Sequence, residues 1–216
     1  MICARHPAAA PRAGHCAACL IEGAFGEAEA GGEVRRRDLT ILIPLGGSRG
    51  STVFLVREQG ARGRLMRLKT WDRQARPEFL TEFEQLRARL QECRGAGVDV
   101  PEAAAVDAKG RAFVLSEFRQ GSPIVGQVLA SRLGTEEAVG FLRALVVSTG
   151  EAHAAGLVHG AVGPGNVISD GRSAYLLDFG LRTAVSGPHA GVRSVSGDLD
   201  DFAALERSVR DAVSRR

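Results

Sequence analysis

Between residues 157 and 180 the chain alternates short apolar runs with tight polar loops. Leu157-Val-His159 leads into Gly-Ala-Val-Gly-Pro-Gly-Asn166, then Val167-Ile168 follows, and Ala174-Tyr-Leu-Leu177 leads into Asp178-Phe-Gly180. Three glycines and a proline between residues 160 and 165 exclude a helix there, and the apolar runs are short, strand-like pieces around turns. Asp178 stands twelve residues after Asn166. Upstream, Phe141, Leu142, Leu145 and Val146 share one face of a helical pattern over 135–155, with Thr135-Glu136-Glu137 suited to its start. The fold must therefore carry two polar loops behind a long helix.

The rest of the chain is compatible with such a fold. Its 216 residues make one ordinary domain with a small appendage, and 44% apolar against 25% charged residues are globular proportions. These values exclude a disordered tail, a collagen-like fibre and a multidomain enzyme. No apolar run approaches the roughly 20 residues that cross a bilayer. Arg5, His6, Arg12, His15 and three cysteines interrupt any leader-like apolar core. A soluble, cytoplasmic protein without membrane contact is expected.

Strand patterns come first: Leu39–Ile43, Thr52–Val56 after a loop at Gly46–Ser51, and Arg64–Lys69. Residues 77–92 set Phe79, Phe83, Leu86 and Leu90 at helical spacing, with Pro77 in the first turn. Ala112–Ser116 is a further strand, and a last helix covers 198–214. Strands first and helices later predict an α+β fold in two lobes. The expected divisions are a knuckle at 1–25, a Gly/Glu-rich linker at 26–38, a first lobe at 39–118 and a second at 119–216.

The net charge of +3 is too small to point to nucleic acid, and Arg35-Arg36-Arg37 lies within the linker. More informative is the split of the 28 basic residues: 26 are arginine, and only Lys69 and Lys109 are lysine. A lysine in such a chain suggests a need for a compact ammonium in place of a planar guanidinium.

The first 25 residues hold three of the four cysteines. Cys3-x2-His6 and Cys16-x2-Cys19 supply four soft or borderline ligands as two pairs, each able to grip one ion from a single turn. Tetrahedral zinc accepts three thiolates and one imidazole; His15 could replace His6 but lacks the matching spacing. With Pro7, the segment resembles B-box-like zinc knuckles, which implies a structural or adhesive role. Cys93 stands alone and reads as a small core residue.

His159-x6-Asn166 followed by Asp178-Phe-Gly180 resembles the catalytic and metal-binding loops of protein kinases. In that register Leu45-Gly-Gly-Ser-Arg-Gly-Ser-Thr-Val53 falls at the phosphate-covering loop, and Lys69 falls sixteen residues after Val53. The resemblance covers about residues 39–210 and implies a nucleotide site. Gly46 and Val53 would cover ATP, Lys69 would hold its α- and β-phosphates, and Glu82 or its rival Glu84 would orient that lysine. Ser116-Glu117-Phe118 would form the hinge, with Glu117 and Arg119 beside the nucleotide. Asn166 and Asp178 would hold Mg²⁺, whose charge offsets that of the triphosphate.

The departures from that pattern carry equal weight. Ala161 stands where the resemblance expects the catalytic Asp, and Gly163 where it expects a lysine. Ser48 and Ser51 replace two glycines of the phosphate loop, and Arg67 replaces a small residue beside adenine, where it would crowd the base unless turned outward. Only 36 residues follow Gly180, without Ala-Pro-Glu. The ending Asp201-Phe-Ala-Ala-Leu-Glu-Arg resembles the small atypical kinases of the tRNA threonylcarbamoyl-modification complex, in which an Asp of that helix braces the catalytic loop. Asp198 or Asp201 would do so here. The resemblance implies an ATP- and magnesium-binding pseudokinase with a protein partner. Alternatives are an active atypical kinase and a zinc-knuckle adaptor with an inert body.

Overall fold

The computed structural model describes residues 39–48, 50–58, 63–93, 97–107, 109–187 and 194–214. The cysteine–histidine segment and the linker lie outside them. The chain divides into two compact units, one ending at Leu80 and including Pro101–Phe118, the other comprising Thr81–Val100 and Arg119–Arg216.

The first unit is a five-stranded antiparallel sheet in the order β1-β2-β3-β5-β4, formed by β1 (Leu39–Ser48), β2 (Ser51–Glu58), β3 (Leu65–Gln74), β4 (Ala103–Val106) and β5 (Arg111–Glu117). Period-two alternation decides its faces. Val56, Met66, Leu68, Phe113 and Leu115 point to one face and form its core. Each such side chain contributes roughly 1.5–3 kcal/mol on full burial. Val53, Arg67 and Lys69 take the opposite face.

Two expectations are corrected here. The loop placed at Gly46–Ser51 is mostly ladder: Gly46 pairs with Val53, Gly47 with Thr52 and Ser48 with Ser51. Gly47 permits this close pairing, since a Cβ there would lie 2.4 Å from the Ser51 carbonyl oxygen. Lys69, expected at the end of its strand, is mid-strand because β3 continues to Gln74. β4 was not expected, since Ala103-Ala-Ala-Val106 has helical composition; pairing with β5 overrides propensity.

In the second unit α1 (Phe79–Glu92), which starts in the first, packs Leu86 and Leu90 onto a core built by α2 (Ile124–Leu129), α3 (Thr135–Ala154) and α5 (Val195–Ser214). Leu142, Leu145, Phe179, Phe202, Leu205 and Val209 fill it, and Cys93 packs against it as a small apolar residue. The helix at 77–92 begins two residues late, with Pro77 in the turn ahead of it. A three-stranded sheet of β6 (Ser122–Pro123), β7 (Val167–Ser169) and β8 (Ala174–Leu176) carries the polar loops, and α4 (Leu181–Ser186) follows Gly180. Leu157–His159, read as strand-like, is not a strand. The His159 N–H donates to a carboxylate of α5 at 2.7 Å instead of to a neighbouring strand.

Candidate functional site

The second unit builds its loops from α3 and the β7–β8 hairpin. Asp170 closes that hairpin, its carboxylate accepting from the Arg172 and Ser173 N–H groups at 2.8 and 2.7 Å. Those backbone donors hold the Asp170 carboxyl below the usual carboxylate range. The β7–β8 register continues beyond the strands, where the Leu177 N–H donates to the Asn166 carbonyl at 2.8 Å. Asn166 is thereby paired with Leu177, the residue before Asp178. Asn166 Nδ2 donates to the Ala161 carbonyl at 2.7 Å, which fixes the amide so that Oδ1 lies on the other branch. Asp178 is buried and has φ of 65°. Few residues other than glycine adopt this left-handed conformation, and Asp is among the more tolerant. Gly180 shares it at 68°, and a Cβ there would meet Leu86 at 2.9 Å.

Beneath these loops lies a buried polar network. Asp198, fully buried on α5, accepts from the His159 and Gly160 N–H groups at 2.7 and 2.9 Å and from His153 Nε2 at 3.2 Å. Of the two aspartates read as candidate braces, Asp198 makes these bonds; Asp201 is half-buried one turn on. The His159 ring is fixed at both nitrogens: Nδ1 accepts from the Ala161 N–H at 3.0 Å and Nε2 donates to the Leu177 carbonyl at 2.8 Å. That pattern requires the tautomer with its hydrogen on Nε2. Phe179 meets the same ring edge-on at 5.3 Å. His153 was not singled out in the sequence; two of only five histidines lying six residues apart, across a helix end, were the available signal.

Ala161 sits at the centre of this scaffold. Its N–H and carbonyl are both held, so the position is rigid, but its methyl can neither orient nor accept a proton. Arg119, read as a nucleotide neighbour, lies with Nε 4.0 Å from buried Asp99 and its guanidinium 5.5 Å above the Tyr175 ring.

In the first unit Val53, Lys69 and Val114 stand directly opposite one another across three strands, and Leu55, Arg67 and Ser116 form the next row of the same face. Gly46 adjoins Val53 on β1, and Glu117 is half-buried at the end of β5 opposite Met66. Lys69 Nζ lies 5.2 Å over the Trp71 ring. Arg67 is not turned out to solvent: it is 7% exposed. On α1, Glu84 is exposed and takes the Arg87 guanidinium at 2.6 Å, whereas Glu82 is half-buried.

Among the described residues no three His, Cys, Asp or Glu side chains gather as a metal cluster, and no helix is long and apolar enough to cross a membrane.

Loops, sheet and helices together define a protein-kinase-like fold. The chain superimposes on the crystal structure of Rad53 1–466 in complex with AMP-PNP with a TM-score of 0.62 and 17% identity, over 80% of this chain and 48% of that one. In sequence it is 35% identical over 114 residues to the probable bifunctional tRNA threonylcarbamoyladenosine biosynthesis protein of Methanothermobacter thermautotrophicus, covering 49% of this chain. The match spans only 19% of that relative's length. No family model matches the chain.

Proposed function

We propose that the chain is a kinase-like module that binds ATP with magnesium and acts as a pseudokinase, regulating or scaffolding a protein partner. The observation that carries this reading is Ala161: the loop around it keeps its bonds to Asp198, His159 and Asn166, yet its general base is absent. Losing such a base costs roughly 10²–10⁴-fold in rate. A scaffold retained without the group it would position suits binding better than catalysis.

In the sheet unit, Lys69 is the compact cation for the α- and β-phosphates, with Gly46, Val53 and Glu117 along the nucleotide; Glu82, which belongs to the other unit, is the orienting glutamate that the kinase resemblance implies. The AMP-PNP held by the Rad53 structure supports a nucleotide as ligand. In the helical unit, the Asp178 carboxylate and Asn166 Oδ1 are hard oxygen donors just beyond the two strands of one hairpin. They fit magnesium, which commonly takes one or two protein oxygens and completes its shell with phosphate and water. Bound there, the ion would neutralise phosphate charge. Cys3, His6, Cys16 and Cys19 would hold one zinc in a closed four-ligand site, detectable as about one zinc per chain by elemental analysis. Loss of that zinc in Cys16→Ser, with the body still folded, is the expected outcome.

Titration calorimetry with ATP, with and without Mg²⁺, tests the reading. Binding that requires the metal is expected, together with no phosphate transfer from labelled ATP above that of Asp178→Ala. Ala161→Asp alone should not restore transfer, because Gly163 still lacks the second phosphate contact. Absence of nucleotide binding would sink the proposal and favour a zinc-knuckle adaptor with an inert body. The likeness to the threonylcarbamoyladenosine protein favours a second reading, an active atypical kinase. Phosphoryl transfer depends chiefly on positioning and electrostatics. A robust transfer signal that Asp178→Ala abolishes would establish that alternative.

A further inference from the structure

α3 has two unlike faces. One supplies Leu142 and Leu145 to the core, and the other is exposed along Gly140, Arg143, Ala144, Val147, Gly150 and Glu151. These positions recur every three or four residues and so form one strip along the helix. Val147, at its centre, is 78% exposed, more than any other large apolar side chain among the described residues. Gly140 and Gly150 are helix-interior glycines, the poorest helix formers after proline. A Cβ at either would meet nothing within 4 Å, so no described neighbour requires glycine there.

The charges on the strip indicate what covers it. If a second α3 crosses antiparallel about a two-fold axis at Val147, then Val147 meets Val147 and Ala144 meets Gly150. Arg143 then meets Glu151 on both sides of the axis. A parallel pair would set Arg143 against Arg143 and Glu151 against Glu151. The strip is self-complementary in one sense only, as an isologous interface demands. Arg143 is available for this: it is 67% exposed, and the Glu206 it bonds at 3.2 Å also holds Arg210 at 3.0 Å.

We propose that the exposed face of α3 is the seam of a homodimer, two copies crossing antiparallel at Val147. Small residues on both sides let the axes approach to the short end of the usual range, about 8 Å. One helix pair buries less than the roughly 1,600 Å² of a standard interface, so the association is weak and reversible.

Sedimentation velocity on the full chain, from low to high micromolar concentration, tests this. A monomer–dimer equilibrium is expected, and Val147→Arg, which sets like charges on the axis, should leave only monomer. Arg143→Glu and Glu151→Arg, both at exposed positions, should each weaken self-association about tenfold by opposing like charges. Mixed one to one, they should pair with each other, because every clash then becomes an attraction. A chain that stays monomeric at all concentrations overturns the proposal. So does a dimer that survives Val147→Arg, or one that mixing the two charge variants fails to restore.

Discussion

The loop around Ala161 and the strands around Lys69 hold their residues in opposite ways. Around Ala161 the side chain is inert and the backbone is bound: Asp198, His159 and Asn166 hold the loop from three directions. On the sheet face around Lys69 the backbone is regular ladder and the side chains are the unusual part. Lys69 is mid-strand opposite Val53, and Ser51 and Arg67 are buried on the same sheet face. The contrast follows from where each residue's bonds go. Asp198 and His159 satisfy buried backbone donors and acceptors, so replacing either would leave polar groups stranded in the core. The Ala161 position carries no such duty, and its side chain can be lost at little cost to folding.

That contrast predicts where substitution costs most. Asp198→Ala should have the largest effect, about 3 kcal/mol or more in urea unfolding, because it strands the His159 and Gly160 N–H groups and His153 together. Asp201→Ala, half-buried one turn on, should cost no more than about 0.5 kcal/mol. Equal losses at the two positions would remove Asp198 from its role as the brace.

Next in size is the response to nucleotide. If the chain binds ATP with Mg²⁺, nucleotide at 100 times the dissociation constant should stabilise the fold by about 2.7 kcal/mol, or roughly 5–10 °C in melting temperature. Lys69→Met alters the sheet unit and Asp178→Asn the helical one, and each should abolish the shift. If only one does, a single region carries the affinity and the other is vestigial. Gly180→Ala should follow, costing about 1–2 kcal/mol in the same unfolding assay, since a left-handed φ and the Leu86 contact at 2.9 Å both oppose a methyl group. Little change would mean that Leu86 yields and that the turn after Phe179 adapts.

The smallest effect is expected at Arg67. If its buried guanidinium takes room from adenine, Arg67→Ala should tighten nucleotide binding by a few-fold in calorimetry, under about 1.4 kcal/mol. Weaker binding in that variant would show that Arg67 holds the ligand, and that the phosphate loop has been re-lined to bind in a different manner.

Periodicity alone located the helices read at 77–92 and 135–155, to within two residues at their ends, and most strands of the sheet, while the grouping of Asn166 with Asp178-Phe-Gly180 came from their resemblance to kinase loops. Those features are local, written within a few turns or one hairpin. Lys69 stood out for a related reason, since one of only two lysines among 26 arginines is visible without any fold. What tertiary structure decided was non-local. Asp198 and Asp201 lie three residues apart on one helix, so both fit the same face pattern; contacts reaching back to residues 159 and 160 chose between them. Ala103–Val106 became a strand because β5 offered it an edge, and the expected loop before Ser51 became ladder because Gly47 let two strands close. A hydrogen bond between residues far apart in sequence leaves no mark on the composition of either partner, and such bonds set the place of Asp198.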